Sequence, residues 1–108
     1  MLRSIMQNLI TNAIKYSPAG GEIKIDTQVI ANSVQVSVID EGLGIAKKDI
    51  SKLFERYYRV ESKQTEKIPG FGIGLYLCGE IISLHRGKIW VKSEPGKGST
   101  FFFSLPLK

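Results

Sequence analysis

The run Gln7-Asn8-Leu9-Ile10-Thr11-Asn12-Ala13-Ile14-Lys15-Tyr16 decides how the rest of the chain is read. No Gly or Pro interrupts residues 1 to 16. Leu2, Ile5, Met6, Leu9, Ile10 and Ala13 recur at the spacing of one apolar stripe, so the sequence predicts a helix. At roughly 100° of rotation per residue, Asn8 and Asn12 stand one above the other beside that stripe, with Lys15 and Tyr16 on the same flank. An interior asparagine disfavours a helix, because its amide competes for backbone hydrogen bonds. Two of them stacked on one flank, with a lysine following, break a local rule, and such breaks mark functional positions. Taken alone, the helix also allows two amides that border the core and face water.

Outward from that helix, Ser17-Pro18-Ala19-Gly20-Gly21 stops it, since proline cannot continue a helix and the paired glycines supply a turn. From Glu22 to Ile30 the chain alternates: Ile23, Ile25, Thr27 and Val29 on one face, Glu22, Lys24, Asp26 and Gln28 on the other. A half-buried strand is expected. Ala31-Asn32-Ser33 turns the chain, and Val34, Val36 and Val38 give the partner strand of a hairpin. That strand runs into Asp40-Glu41-Gly42-Leu43-Gly44-Ile45. A short helix is expected from Lys47 to Phe54 with Ile50, Leu53 and Phe54 inward. Residues 55 to 71 lack periodicity and read as a lid or binding loop. A second long helix runs from Gly72 to about Arg86, with Ile73, Leu77, Ile81 and Leu84 on one stripe and Gly87 ending it. Two final strands, Lys88 to Ser93 and Ser99 to Leu105, flank Glu94-Pro95-Gly96-Lys97-Gly98. Helices sharing one face of a sheet of hairpins make a two-layer α+β sandwich.

The bulk of the chain bounds its function. At 108 residues it is one domain with room for a core, and 43% hydrophobic with 23% charged residues is ordinary for a globular protein. No apolar run approaches the roughly 18 residues of a membrane span, and no charged-then-apolar leader is present. A single cysteine, Cys78, forms no internal disulfide, fits a reducing compartment and reads as a small core residue. The net charge of +5 suits a polyanionic partner, either nucleic acid or a nucleoside triphosphate. The basic residues form no block: Arg56, Arg59, Lys63 and Lys67, with Tyr57 and Tyr58 among them, make a loop-sized cluster.

Three glycine clusters bear on chemistry. Gly70-Phe71-Gly72-Ile73-Gly74 opens a helix without the lysine of a P-loop or the leading strand of a Rossmann fingerprint. It offers free N–H groups at the positive end of a helix, a seat for phosphate. Gly96 and Gly98 fit a hairpin turn. Asp40 with Gly42 and Gly44 places a carboxylate at a strand end, followed by glycines that let a flat ligand approach the backbone. An ionised carboxylate only accepts hydrogen bonds, so it favours the exocyclic amine of adenine over the carbonyl of guanine. An ordinary Asp-x-Gly turn has the same residues.

Taken as a set, the Asn8/Asn12/Lys15 helix, Asp40-x-Gly-x-Gly, Phe54-Glu55-Arg56-Tyr57-Tyr58-Arg59 and Gly72-x-Gly74-Leu75 resemble, in order, the N, G1, F and G2 boxes of the histidine-kinase ATP-binding domain. His85 to Trp90 and Gly96 to Phe101 look like the end of the same domain, so the resemblance covers essentially the whole chain. It implies the Bergerat-type α+β sandwich shared with gyrase B, Hsp90 and MutL, with a mixed, mainly antiparallel sheet, helices on one face and an ATP lid at about 55–71. It implies one domain, excised from a sensor kinase, that binds ATP and Mg²⁺.

By the same resemblance, Asn12 ligates Mg²⁺ through its amide oxygen. Asn8, where ATP-hydrolysing relatives carry a glutamate base, favours phosphoryl transfer over hydrolysis. Asn8, Asn12 and Lys15 are thus the catalytic set. Lys15 and Arg59 face the phosphates, Tyr16 and Tyr58 pack near the ribose and base, and Asp40 holds adenine with Gly42, Gly44 and Ile45. Gly70, Gly72, Gly74 and Leu75 form the lid hinge and phosphate seat, and Thr100 lies near the adenine pocket. The acceptor histidine belongs to a separate dimerisation domain, and a response regulator follows it. His85, with Arg86 in place of the first glycine of the family's His-Gly-Gly, is expected to be structural. The isolated domain is expected to be monomeric, cytoplasmic and without nucleic-acid partners. A serine kinase on the same fold and a non-enzymatic nucleotide-binding module are the alternatives.

Overall fold

The computed structural model describes residues 2–17, 20–55 and 74–107. From Arg56 onward the expected lid, with Tyr58, Arg59 and Gly70, lies outside them, as does Gly72. Helix α1 (Leu2–Lys15) forms over the uninterrupted stripe, and Ile5, Leu9 and Ala13, one residue per turn, are at most 2% exposed. Strands β1 (Lys24–Ile30) and β2 (Ser33–Asp40) make the expected hairpin. Its loop is only Ala31-Asn32, with φ of +50° and +66°. Positive φ at both residues marks the type I′ turn that matches the twist of the flanking strands.

Strands β3 (Lys88–Ser93) and β4 (Ser99–Pro106) form the second hairpin, and β4 pairs with β2 to join the two in the order β1-β2-β4-β3. The mainly antiparallel sheet that was expected is antiparallel at every described pairing. The alternation of β2 and β4 sends Val36, Val38, Phe101 and Phe103 to the helix layer, where they meet Ile5, Leu9, Cys78 and Ile82 in one core. On the opposite face Trp90 stacks on its cross-strand partner Phe102 at 5.1 Å, with the Lys92 ammonium 5.7 Å from that ring.

Helix α2 (Lys47–Ile50) is shorter than the expected Lys47–Phe54. The chain then continues as turns that still bury Leu53 and set Phe54 edge-on to Phe101. Helix α3 (Gly74–Leu84) turns a different face inward from the one expected. Cys78 and Ile82 are fully buried, whereas Leu77 and Leu84 are exposed. The helix is apolar on most sides, so its sequence offers two stripes one residue apart, and packing against α1 and the sheet selects one of them.

The end of α3 also departs from expectation. Arg86, not Gly87, takes the left-handed conformation at φ +61°. The Arg86 N–H donates to Ser83 O at 3.0 Å and the Gly87 N–H to Ile82 O at 2.9 Å, which is a Schellman cap.

Strand β1 corrects the expectation of half-burial, since all seven of its residues are exposed. It is an edge strand of the sheet, and α1 lies over β2 while α3 lies over β3 and β4. Alternation showed which residues share a face, but not whether a helix covers it. Among the described residues no helix is long and apolar enough to cross a membrane.

Candidate functional site

Three segments meet at one end of the sheet: the end of β2, the turn between β3 and β4, and the C-terminal end of α1. Asp40 closes β2 and stands opposite Ser99, the first residue of β4. It is 5% exposed. Its Oδ1 accepts the Gly42 N–H at 2.9 Å and the Ser99 N–H at 3.2 Å. Burial raises the pKa of the carboxyl, and the two N–H donors pull it partly back. Both bonds end on Oδ1, so Oδ2 is spent on neither.

The loop after Asp40 is tied on two sides. The Leu43 N–H donates to Tyr16 O of α1 at 2.9 Å, and the Gly96 N–H of the β3–β4 turn donates to Leu43 O at 2.7 Å. Gly44, at φ +76°, lies against the Glu94 carbonyl, and Gly98, at φ +80°, lies against the Asp40 carbonyl. A Cβ at either would run into that backbone. Gly42 packs in the same way on the Tyr16 carbonyl. The protein's own joints thus account for these glycines. The hairpin turn that carries Gly96 and Gly98 also lines the cleft, through Glu94, Lys97 and Gly98.

A cleft of about 480 Å³ opens there, lined by Asp40, Ile50, Ser93, Lys97, Ser99 and Thr100 among others. Its size suits a small organic ligand. Thr100 borders it from the face of the sheet opposite the helices. Strand alternation turns Thr100 with its partners Ile39 and Lys92 away from the helix layer, and Ser99 is the residue bonded to Asp40.

Sequence reasoning missed two hydroxyls in the cleft lining. Ser93 Oγ accepts the Ile45 N–H at 2.8 Å, donates to Gly98 O at 2.8 Å and lies 2.8 Å from Ser99 Oγ. The only sequence signal was a serine on each side of the Glu-Pro-Gly-Lys-Gly turn. Their contact depends on strand register.

The α1 residues are placed as follows. Asn8 is half-buried and faces α3: its side chain hydrogen-bonds the Cys78 thiol, and its Oδ1 lies 3.5 Å from where a Cβ on Gly74 would stand. Burial raises the Cys78 pKa, and the Asn8 bond opposes that rise. Asn12 and Tyr16 are half-buried and Lys15 is exposed. Ile45 and Leu75 pack at the border of the core. The cleft beside Asp40 is not lined by either asparagine. The start of α3, which follows the undescribed residues 56–73, lies beside Asn8. His85 is exposed and donates through Nδ1 to Ile81 O at 2.9 Å within its own helix, as a capping residue does.

Among the described residues no three His, Cys, Asp or Glu side chains converge on a point. A divalent ion here would rest on neutral oxygens such as the Asn12 amide, with a ligand's phosphates and water. That is a donor set suited to Mg²⁺.

A family model described as "Histidine kinase-, DNA gyrase B-, and HSP90-like ATPase" matches residues 1–108. The chain is 44% identical over 109 residues to sensor histidine kinase WalK of Bacillus subtilis, covering 99% of this chain and 18% of that protein. Among solved structures, full-length ShkA in complex with AMPPNP superposes with a TM-score of 0.84 at 28% identity, over 97% of this chain and 21% of that one. The nucleotide-free catalytic domain of histidine kinase ThkA superposes with a TM-score of 0.79 at 31% identity, over 97% of this chain and 65% of that one.

Proposed function

This chain belongs to the family of histidine kinase-, DNA gyrase B- and HSP90-like ATPases, and on that premise we propose that it is a single ATP-binding domain of a sensor histidine kinase. It binds ATP with Mg²⁺ and presents the γ-phosphoryl group to a histidine on a separate dimerisation and phosphoacceptor domain, from which a response regulator takes it. The lid spans about residues 55–71, and the domain works in the cytoplasm. The observation that carries the reading is the Asp40 carboxylate, buried at a strand end beside a cleft, with Oδ2 left over by its own hydrogen bonds.

An ionised Asp40 accepts the exocyclic amine of adenine and repels a carbonyl at the same position. Tyr16, Ile45 and Tyr58 contribute the apolar walls around base and ribose. Asn8, Asn12, Lys15 and Arg59 lie toward the triphosphate, and Gly70, Gly72, Gly74 and Leu75 form the lid hinge and the N-terminal end of α3. The Asn12 amide oxygen is the protein ligand for Mg²⁺, which, when bound, neutralises phosphate charge. Phosphoryl transfer needs little covalent help, so positioning and charge neutralisation supply most of the acceleration. Asn8 has no proton-accepting group to activate water, which favours transfer to a side chain over hydrolysis.

The test supplies γ-labelled ATP, Mg²⁺ and a phosphoacceptor domain in trans. The expected result is acid-labile, base-stable label on the acceptor histidine and no stable label on this chain alone. Acid-stable label on a serine, or release of free phosphate only, would contradict the proposal.

A further inference from the structure

The hydroxyl contacts around Ser93 fix where protons sit. Ser93 has one O–H proton, and Gly98 O, at 2.8 Å, is an acceptor only, so the Ser93 hydroxyl donates to the Gly98 carbonyl. The Ile45 N–H donates into Ser93 Oγ at 2.8 Å. The remaining 2.8 Å contact, between Ser93 Oγ and Ser99 Oγ, therefore needs the proton of Ser99. Ser99 is left with lone pairs alone, and its backbone N–H is already spent on Asp40. Both serines line the cleft beside Asp40. With Asp40 ionised, the side-chain groups that Asp40 and Ser99 retain there are acceptors.

We propose that Ser93 is a positioning residue for base selection: it accepts the hydrogen bond of the Ser99 hydroxyl and ties Ile45 to Gly98, keeping the Asp40 end of the cleft a surface of acceptors. This rests on the reading of the cleft as the adenine site. A ligand edge that carries an amine meets two acceptors. One that carries a carbonyl meets no donor from either residue. Without the Ser93 oxygen, the Ser99 hydroxyl is free to turn and donate to a carbonyl, and the Ile45 N–H loses its acceptor. Base discrimination then relaxes, although Ser93 itself need not touch the nucleotide.

The test compares affinities of the unsubstituted chain, Ser93→Ala and Ser93→Thr for non-hydrolysable ATP and GTP analogues, with amide exchange at Ile45 measured without nucleotide. Ser93→Ala is expected to shrink the ATP-to-GTP preference by about tenfold and to speed exchange at Ile45 selectively; Ser93→Thr, which keeps the hydroxyl, restores both. If Ser93→Ala does not fold, Ser93→Cys takes its place, with a smaller change of the same sign. Parallel weakening for both nucleotides, or an unchanged preference, would overturn the role of Ser93. An unsubstituted chain with no preference for ATP would instead overturn the adenine site itself, so the two failures are distinguishable.

Discussion

Asp40 is the residue at which the opposing forces in this molecule are most evident. Removal from water disfavours its charge, and two N–H groups on Oδ1 restore part of it, so its pKa stays raised. A raised folded-state pKa means that the native protein binds this proton more tightly than the unfolded chain does. The stability that this supplies is fully present below the ordinary carboxylate pKa and is lost as pH rises through the folded-state value. Asp40→Asn carries no charge at any pH. In denaturant titrations at stepped pH, the unsubstituted protein is expected to lose stability relative to Asp40→Asn across that window, with the difference flat above it. A difference that does not change with pH would show that the carboxyl is not desolvated. In the same variant, adenine nucleotides are expected to lose their advantage, because the Asn amide presents a donor where the carboxylate had none.

At the scale of elements, two turns hold residues with a Cβ in a conformation that suits glycine. Arg86 caps α3 at φ +61°, and Ala31 takes φ +50° in the first hairpin. The left-handed conformation costs an ordinary L-residue about 1–2 kcal/mol, offset in part by the greater unfolded-chain freedom of glycine. Arg86→Gly and Ala31→Gly are each expected to stabilise the fold by about 0.5–1 kcal/mol, seen as a rise of several degrees in Tm for a domain of this size. A fall in Tm for Arg86→Gly would mean that the arginine side chain makes contacts worth more than the strain. The same elements show what was legible in the sequence. Helix α1 and the two hairpins could be read because each repeats at one period and ends on a turn. The inward face of α3 could not, since its apolar residues satisfy two stripes, and the exposure of β1 could not, because coverage depends on where helices lie. The Ser93–Ser99 contact was beyond reach, being fixed by pairing across a hairpin.

For the whole molecule, the site lies where the end of α1, the loop after β2 and the β3–β4 turn are tied together by backbone hydrogen bonds. The motif set was readable as a resemblance because each box keeps its residue types in order along the chain. The joints between the boxes were not, since glycines that looked reserved for a ligand are used to let backbones meet. A net charge of +5 favours a polyanion, but charge alone would draw ATP and GTP equally. On the proposed reading, discrimination comes from Asp40 and its neighbours. The most direct measurement is therefore the melting temperature with non-hydrolysable ATP or GTP analogues, each with and without Mg²⁺, since a ligand bound only by the native state raises it. Clear stabilisation by the ATP analogue, greater with Mg²⁺, is expected, with little by the GTP analogue. Equal stabilisation by both, or by neither, would contradict that reading.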